Sequence, residues 1–193
     1  MNSISNKTIG FAITASYCTF SKILESIRSL VEEGATVIPI LSFNASKLDS
    51  RFMKAAKLKE SLQEITHQNI IDTIAAAEPI GPKALLDLVI VAPCTGNTLA
   101  KLALGITDTP VTMACKAHLR NNRPVLIGVS TNDGLSASAG NIGKLLNTKG
   151  YYFISFSQDD CHKKTASVVA DFSMTLSAAN AALSGEQLQP VLK

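Results

Sequence analysis

The chain is poor in aromatic and in charged residues. It has no tryptophan and only three tyrosines, and charged residues make up 17% of it. The lysines and arginines are scattered, the net charge is only +3, and aromatic stacking platforms are missing, so nothing favours nucleic-acid binding. Apolar residues reach 46%, which is high for a soluble monomer and favours surface buried between protomers. We therefore expect a homo-oligomer that does not bind nucleic acid.

Signals for disulfides, zinc and membranes are also missing. The four cysteines, Cys18, Cys94, Cys115 and Cys161, show no CxxC spacing, as is typical of reduced thiols in a cytoplasmic protein. The opening stretch MNSISNK lacks the apolar core of a signal peptide. No uncharged apolar run approaches the roughly 20 residues that cross a bilayer. The sequence predicts a cytoplasmic protein with no metal centre and no membrane segment.

Strand and helix patterns alternate along the chain. Apolar, β-rich runs predict strands at 8–16, 35–43, 86–92, 123–131 and 151–156. Helical spacing predicts helices at 20–33, 50–65, 69–77, 98–104, 109–122, 142–149 and 163–183. This alternation predicts one α/β domain over 1–193, with a three-layer, doubly wound, Rossmann-like and mainly parallel sheet.

Small and hydroxylated residues follow four of the predicted strands. They occur at 14–16, at the turn around Ser42, at 94–98 and at 130–134. The carboxyl ends of parallel strands meet at one edge of a sheet, where ligands bind. Hydroxyls, close backbone approach and helix N-termini suit an anion there. Helix capping explains one such loop, but four at one edge favour a ligand that carries phosphate.

Three nucleotide signatures are absent. The first turn, GFAITASYCTF, is not the GxGxxG of a dinucleotide site, and no GxxxxGK[ST] loop occurs. The second strand ends at Leu41-Ser42-Phe43, without an acidic residue for a ribose hydroxyl. The pattern therefore favours a mononucleotide such as FMN over NAD or ATP.

These loops carry a resemblance to a known superfamily. GFAITAS, the Ser42 turn and APCTGNT look like the three flavin loops of the FMN-dependent cysteine decarboxylases and flavin prenyltransferases. Within that superfamily, TDTPVTMACKAHLRNNRPV, GVSTNDGL and FSQDD resemble the dipicolinate synthase B-subunit family. The resemblance covers roughly residues 7–190, with the motifs in order.

The resemblance implies that FMN binds at the carboxyl edge. The residues it assigns to FMN are Thr14, Ala15, Ser16, Ser42, Pro93, Thr95, Gly96, Asn97, Thr98 and Ser130. Ser130 stands near the position where the prenyltransferases place a phosphate-binding arginine, so that charge is absent here.

The catalytic residues of two branches of the superfamily are missing. The cysteine decarboxylases use a histidine upstream of the third strand, but 75–78 has none and His67 lies too far away. They also use an asparagine in a Pro-Ala-Met-Asn motif, which reads Met-Ala-Cys-Lys at 113–116. Cys94 has no histidine beside it in the sequence to activate it as a nucleophile. The catalytic residues are therefore left unassigned.

For the reaction, the resemblance implies formation of dipicolinate (pyridine-2,6-dicarboxylate) from dihydrodipicolinate in the mother cell of a sporulating bacterium. It implies a partner, the A subunit of dipicolinate synthase, with its own nicotinamide-nucleotide domain, and self-assembly into a trimer or dodecamer. A dicarboxylate substrate needs cationic partners, for which we predict Lys116, Arg120 and Arg123.

Three alternatives stay open at this point. One is a stand-alone FMN-dependent decarboxylase or flavin prenyltransferase, which would act without a partner of this kind. Another is a non-catalytic flavin-binding regulatory subunit, which the missing histidine supports. An NAD-binding Rossmann protein is disfavoured by the absent glycine fingerprint.

Overall fold

A seven-stranded mixed sheet forms the centre of the molecule, which a computed structural model describes over residues 4–193. In chain order, the strands are β1 (Thr8–Ile13), β2 (Thr36–Leu41), β3 (Leu88–Cys94), β4 (Val125–Thr131), β5 (Tyr151–Phe153), β6 (Phe156–Asp160) and β7 (Lys164–Ala170). Strands β1 to β5 pair in parallel in the order β2-β1-β3-β4-β5. The order reverses between β1 and β3, and such a switch point opens a crevice at the carboxyl ends of the strands.

The central strands are buried on both faces. Every residue of β3 is buried, and so are all but the last residue of β4. Continuous apolar runs such as Leu88–Cys94 are typical of parallel strands that are covered by helices on both sides. The sequence pattern therefore predicted these strands correctly.

Helices cover the sheet in two groups. In chain order they are α1 (Phe20–Glu32), α2 (Phe43–Lys47), α3 (Ala55–Thr66), α4 (Ile74–Ala77), α5 (Gly96–Leu104), α6 (Pro110–Leu119), α7 (Ala139–Leu146) and α8 (Thr175–Leu183). Helix α1 contacts α3 and α8, whereas α6 contacts α4 and α5, and α5 contacts α7. The predicted doubly wound α/β fold is thus confirmed. Among residues 4–193, no helix is both long and apolar enough to cross a bilayer.

Local signals explain where individual helices begin and end. Helix α1 buries residues three or four apart, including Ile23, Ile27 and Leu30, and the chain leaves it through Gly34 at a φ of 85°. Helix α6 begins with a capping box in which the Thr109 side chain accepts from Thr112 N, followed by Pro110 at the first position. Both helix boundaries agree with the prediction from sequence.

The long helix predicted at 163–183 is wrong. Residues 164–170 form strand β7, which pairs antiparallel with β6 and with Ser130 and Thr131 at the end of β4. Only Thr175–Leu183 is helical. The alanines of this segment gave helical spacing, but its β-branched residues complete a sheet edge that β4 leaves open. The Asp160–Lys163 turn, predicted to precede that helix, is the tip of the β6–β7 hairpin, where Asp160 Oδ1 accepts from two backbone N–H groups.

Candidate functional site

A cleft of about 660 Å³ opens at the carboxyl edge of the sheet, at the switch point between β1 and β3. The loops after β1, β3 and β4 form its floor, and the β6–β7 hairpin forms one wall. Its lining residues are Ala15, Ser16, Cys18, Thr19, Lys22, Thr95, Gly96, Asn97, Ser130, Thr131, Asn132, Asp133, Asp159, Lys164, Ser167, Val168 and Val169. Three of the four hydroxylated loops predicted at this edge therefore meet in one cavity.

The N-terminus of α5 reaches the cleft without a side-chain cap. Thr95 is the N-cap residue, but its side chain accepts no hydrogen bond from the first turn of the helix. The N–H groups of Gly96, Asn97 and Thr98 have no acceptor within the helix, as in any first turn. Of these residues, Gly96 and Asn97 line the cleft, so their N–H groups and the positive end of the helix dipole give its floor the donors and partial positive charge that suit an anion.

Thr14 joins the loop after β1 to the loop after β3. Its buried hydroxyl donates to the Pro93 carbonyl oxygen at 2.6 Å and accepts from the Thr95 N–H at 3.0 Å. Its backbone N–H also donates to the Pro93 carbonyl oxygen. Thr14 and Pro93 do not line the cleft, so their part in the site is to hold Thr95 and the start of α5 in place.

Two serine hydroxyls meet across the floor. Ser16 Oγ lies 2.8 Å from Ser130 Oγ, which joins the loops after β1 and β4. Either hydroxyl can be the donor, so the other keeps a hydrogen free for a ligand oxygen. Both residues line the cleft.

Gly96 allows the backbone to approach a polar cluster closely. Asp133 Oδ1 accepts from Thr131 Oγ1 at 2.5 Å and from Ser138 Oγ at 2.9 Å. A Cβ atom at position 96 would lie 2.7–2.8 Å from these three oxygens. Only glycine therefore fits here without displacing the cluster.

Two further residues assigned to FMN lie behind the cleft rather than in its lining. Ser42 Oγ accepts from Ala45 N at 3.3 Å and so caps α2. The Thr95 hydroxyl donates to Thr98 Oγ1 at 3.3 Å, and Thr98 is buried. In the described chain, the cleft itself is lined by Ala15, Ser16, Thr95, Gly96, Asn97 and Ser130 of the predicted set.

The three cations predicted for the substrate lie elsewhere in this chain. Lys116 and Arg120 line a separate cavity of about 250 Å³ together with Glu78. Arg123 donates to the carbonyl oxygens of Ala84 and Leu86, beside the start of β3. The chain enters β4 directly after Arg123, so this group lies at the amino edge of the sheet, opposite the cleft. The structure does not bring these cations to the hydroxylated loops.

In the described chain, four charged residues line the cleft: Lys22, Asp133, Asp159 and Lys164. Asp133 belongs to the loop at 130–134 that the sequence placed at this edge, whereas the other three were not predicted. Lys22 lies in the first turn of α1, directly after the loop that follows β1, and that position in the pattern could have identified it. Asp159 and Lys164 belong to the β6–β7 hairpin. Lys164 was missed because the sequence predicted a helix over 163–183, and Asp159 was missed because it was predicted to lie in a solvated loop before that helix.

The buried thiols are poor nucleophiles. Burial raises the pKa of the Cys94 thiol well above its ordinary value and raises the pKa of the Cys115 thiol to about 12. Because the thiolate is the reactive form, Cys94 stays protonated and unreactive at neutral pH.

His118 has a structural environment. Burial lowers its pKa to about 4, and its Nε2 lies 3.0 Å from the carbonyl oxygen of Pro124. A neutral ring that donates to this carbonyl joins α6 to the start of β4. His118 does not line the cleft.

Comparison with known families agrees with this geometry. The model of the Flavoprotein family matches residues 1–169, so the chain belongs to the flavoprotein family.

Within that family, the chain is similar to dipicolinate synthase B subunits. It is 44% identical over 192 residues to the B subunit from Bacillus subtilis (strain 168), covering 100% of this chain and 96% of the relative. The crystal structure of the B subunit from Bacillus halodurans C superposes with a TM-score of 0.91 at 41% identity, covering 100% and 98% of the two chains. The FMN-dependent cysteine decarboxylase SpaF shares the fold, with a TM-score of 0.69 at 17% identity over 94% and 99%.

Proposed function

We propose that this chain is the FMN-binding B subunit of a dipicolinate synthase, which acts with an A subunit in the mother cell of a sporulating bacterium. The observation that carries the proposal is the cleft at the β1/β3 switch point, floored by the uncapped start of α5. It occurs in a chain that is 44% identical over its whole length to such a B subunit.

The residues of the cleft fit a flavin mononucleotide. The N–H groups of Gly96 and Asn97 and the paired hydroxyls of Ser16 and Ser130 offer several donors to a phosphate. A volume of about 660 Å³ lies within the usual range for cofactor pockets. Thr14, buried behind the floor, fixes the loops so that these donors are preorganised.

The proposed reaction aromatises a dihydropyridine ring. Conversion of dihydrodipicolinate to dipicolinate removes two electrons as a hydride, together with one proton, and breaks no bond of the carbon skeleton. FMN bound in the cleft would supply a hydride acceptor. The chain itself would bind the cofactor, orient the substrate against it and exclude water with the β6–β7 hairpin.

The lining of the cleft disfavours the decarboxylase alternative. Over residues 4–193, no histidine lines it, and the buried His118 has its Nε2 at 3.0 Å from the Pro124 carbonyl oxygen. Burial raises the pKa of the Cys94 thiol, so the thiol stays protonated and does not serve as a base in place of the catalytic histidine of the decarboxylases.

Reconstitution of the reaction tests this proposal. Dipicolinate formation is measured with the isolated A subunit, with this chain in isolation and with the two together, each with dihydrodipicolinate, FMN and an oxidised nicotinamide nucleotide as the final electron acceptor. We expect the mixture to exceed the sum of the separate rates, because the binding site and the partner are then both present.

Two glycine variants of this chain serve as controls for the reconstituted mixture. A mixture with the Gly96→Ala variant, whose anion-binding floor is disturbed, should lose most of the gain, whereas the Gly143→Ala variant should keep it. An isolated A subunit that reaches the full rate would refute a catalytic contribution by this chain. Flavin-dependent release of carbon dioxide from a cysteine substrate by this chain in isolation would favour the decarboxylase.

A further inference from the structure

We propose that Lys22 and Lys164 bind the two carboxylates of the substrate, a proposal that rests on the proposed function. They lie on two different walls of the cleft, Lys22 in the first turn of α1 and Lys164 at the start of β7. In the part of the chain that the structure describes, no other lysine or arginine lines this cleft.

The two negative charges of the substrate favour a pair of cations in the cleft. A pyridine dicarboxylate enters the cleft with two negative charges, and Asp133 and Asp159 already contribute acidic groups to the lining. Without cations, the substrate would meet repulsion and lose hydration without compensation. Lys116, Arg120 and Arg123 lie at the opposite edge of the sheet and do not supply the charge within this chain.

Lys22 is available for a ligand. Over residues 4–193 its ammonium group forms no ion pair. The neighbouring side chains on the floor, Ser16 and Thr19, are neutral. A carboxylate beside Lys22 would therefore gain a charge-assisted hydrogen bond without displacing a protein partner.

Asp159, on the same hairpin, competes with a substrate carboxylate for the ammonium group of Lys164. Lys164 Nζ lies 2.5 Å from Asp159 Oδ2, and the lysine side chain is 60% exposed, so this ion pair is solvated and weak. A substrate carboxylate can replace Asp159 as the partner of Lys164 with little loss of free energy. In the absence of substrate, Asp159 is the partner of Lys164 at the cleft.

The phosphate of the cofactor has separate donors. The start of α5 and the hydroxyls of Ser16 and Ser130 lie on the floor, whereas Lys164 extends from the wall formed by the hairpin. This division leaves Lys164 for the second anion. We expect replacement of either lysine to change dicarboxylate binding and to leave FMN content unchanged.

Titration of the FMN-loaded protein with dipicolinate, followed by calorimetry, tests the proposal. The monocarboxylate picolinate serves as a second probe, and both titrations are repeated in the presence of the A subunit. We expect Lys22→Met and Lys164→Met each to weaken dipicolinate binding about tenfold or more, since each removes one charge-assisted contact. The preference for dipicolinate over picolinate should shrink in parallel.

Two further variants sharpen the test. Lys163→Met removes a neighbouring charge of the hairpin that does not line the cleft, and it should leave the dissociation constant within about twofold of the parent. Asp159→Asn removes the competitor and should tighten dipicolinate binding, a gain that a purely structural role of the ion pair would not produce.

The outcomes separate this proposal from the proposed function. Unchanged dipicolinate binding in both lysine variants would overturn the proposal for the lysines. So would the absence of dipicolinate binding by the parent protein, both with and without the A subunit. In either case, a normal FMN content would still support the flavin site. A loss of FMN from the lysine variants would also overturn the proposal for the lysines, because they would then hold the cofactor phosphate. A parent protein that binds dipicolinate but takes up no FMN would refute only the proposed cofactor.

Discussion

Gly96 is the residue on which the floor of the cleft depends most. Its missing side chain lets the start of α5 lie against the oxygens of Thr131, Asp133 and Ser138. We expect Gly96→Ala to lower the flavin-to-protein ratio several-fold. It should also destabilise the fold by about 1–3 kcal/mol, because a methyl group there forces these hydrogen-bonded oxygens or the helix to move. Flavin content and the urea unfolding midpoint measure both effects.

Gly143→Ala is the matched control for this prediction. Gly143 is exposed in α7, and a Cβ there meets no atom within 4 Å. The same substitution should leave flavin content unchanged and stabilise the helix by about 0.5–1 kcal/mol. If Gly96→Ala bound FMN as the parent does, close approach at position 96 would not matter to the site.

At the residue scale, the sequence predicted which loops line the cleft better than it predicted the contacts of each side chain. Hydroxylated residues after parallel strands pointed to Ser16, Thr95 and Ser130, all of which line the cleft. The same pattern could not show that Thr14 and Ser42 turn inward to bond the backbone. For Thr14 the choice depends on Pro93, which is distant in sequence, whereas Ser42 accepts from Ala45, only three residues further along the chain.

Among the elements, α6 has the clearest sequence signal. Thr109 and Thr112 form its capping box, and the Thr109 hydroxyl accepts from Thr112 N at 3.1 Å. Thr109→Ala should lower the free energy of unfolding by about 1 kcal/mol, because an N–H of the first turn loses its acceptor. Chemical denaturation of the two proteins measures the difference.

Thr107→Ala provides the comparison for this cap. Thr107 lies just before the same helix, where it lines a shallow cavity and caps nothing. Its replacement should change stability by no more than about 0.5 kcal/mol. Equal losses for the two variants would show that the capping box does not stabilise α6.

The β6–β7 hairpin shows where local patterns fail. Its alanines and lysines satisfy helical spacing, but β4 ends with Ser130 and Thr131 unpaired on one side, and Val168 and Val169 complete that edge. This requirement comes from the sheet and not from the segment itself. Because of this error, Asp159 and Lys164 were not predicted to line the cleft, which they reach as part of the hairpin.

At the scale of the whole molecule, the cleft lies at one edge of a mainly parallel sheet and Arg123 lies at the opposite edge, and this separation decides which cations line the cleft. Alternating strands and helices predicted the doubly wound fold from sequence. They did not predict which end of α6 faces the cleft. Lys116 and Arg120 lie at the C-terminal end of α6, which leads into the amino edge of the sheet through Arg123.

FMN binding by the purified chain tests the central claim most directly. The protein is titrated with FMN, separated from free cofactor, and its visible spectrum is recorded before and after denaturation. We predict the absorbance of an oxidised flavin at close to equimolar content, with FMN released when the protein unfolds. A folded protein that stays colourless after incubation with excess FMN would contradict the account.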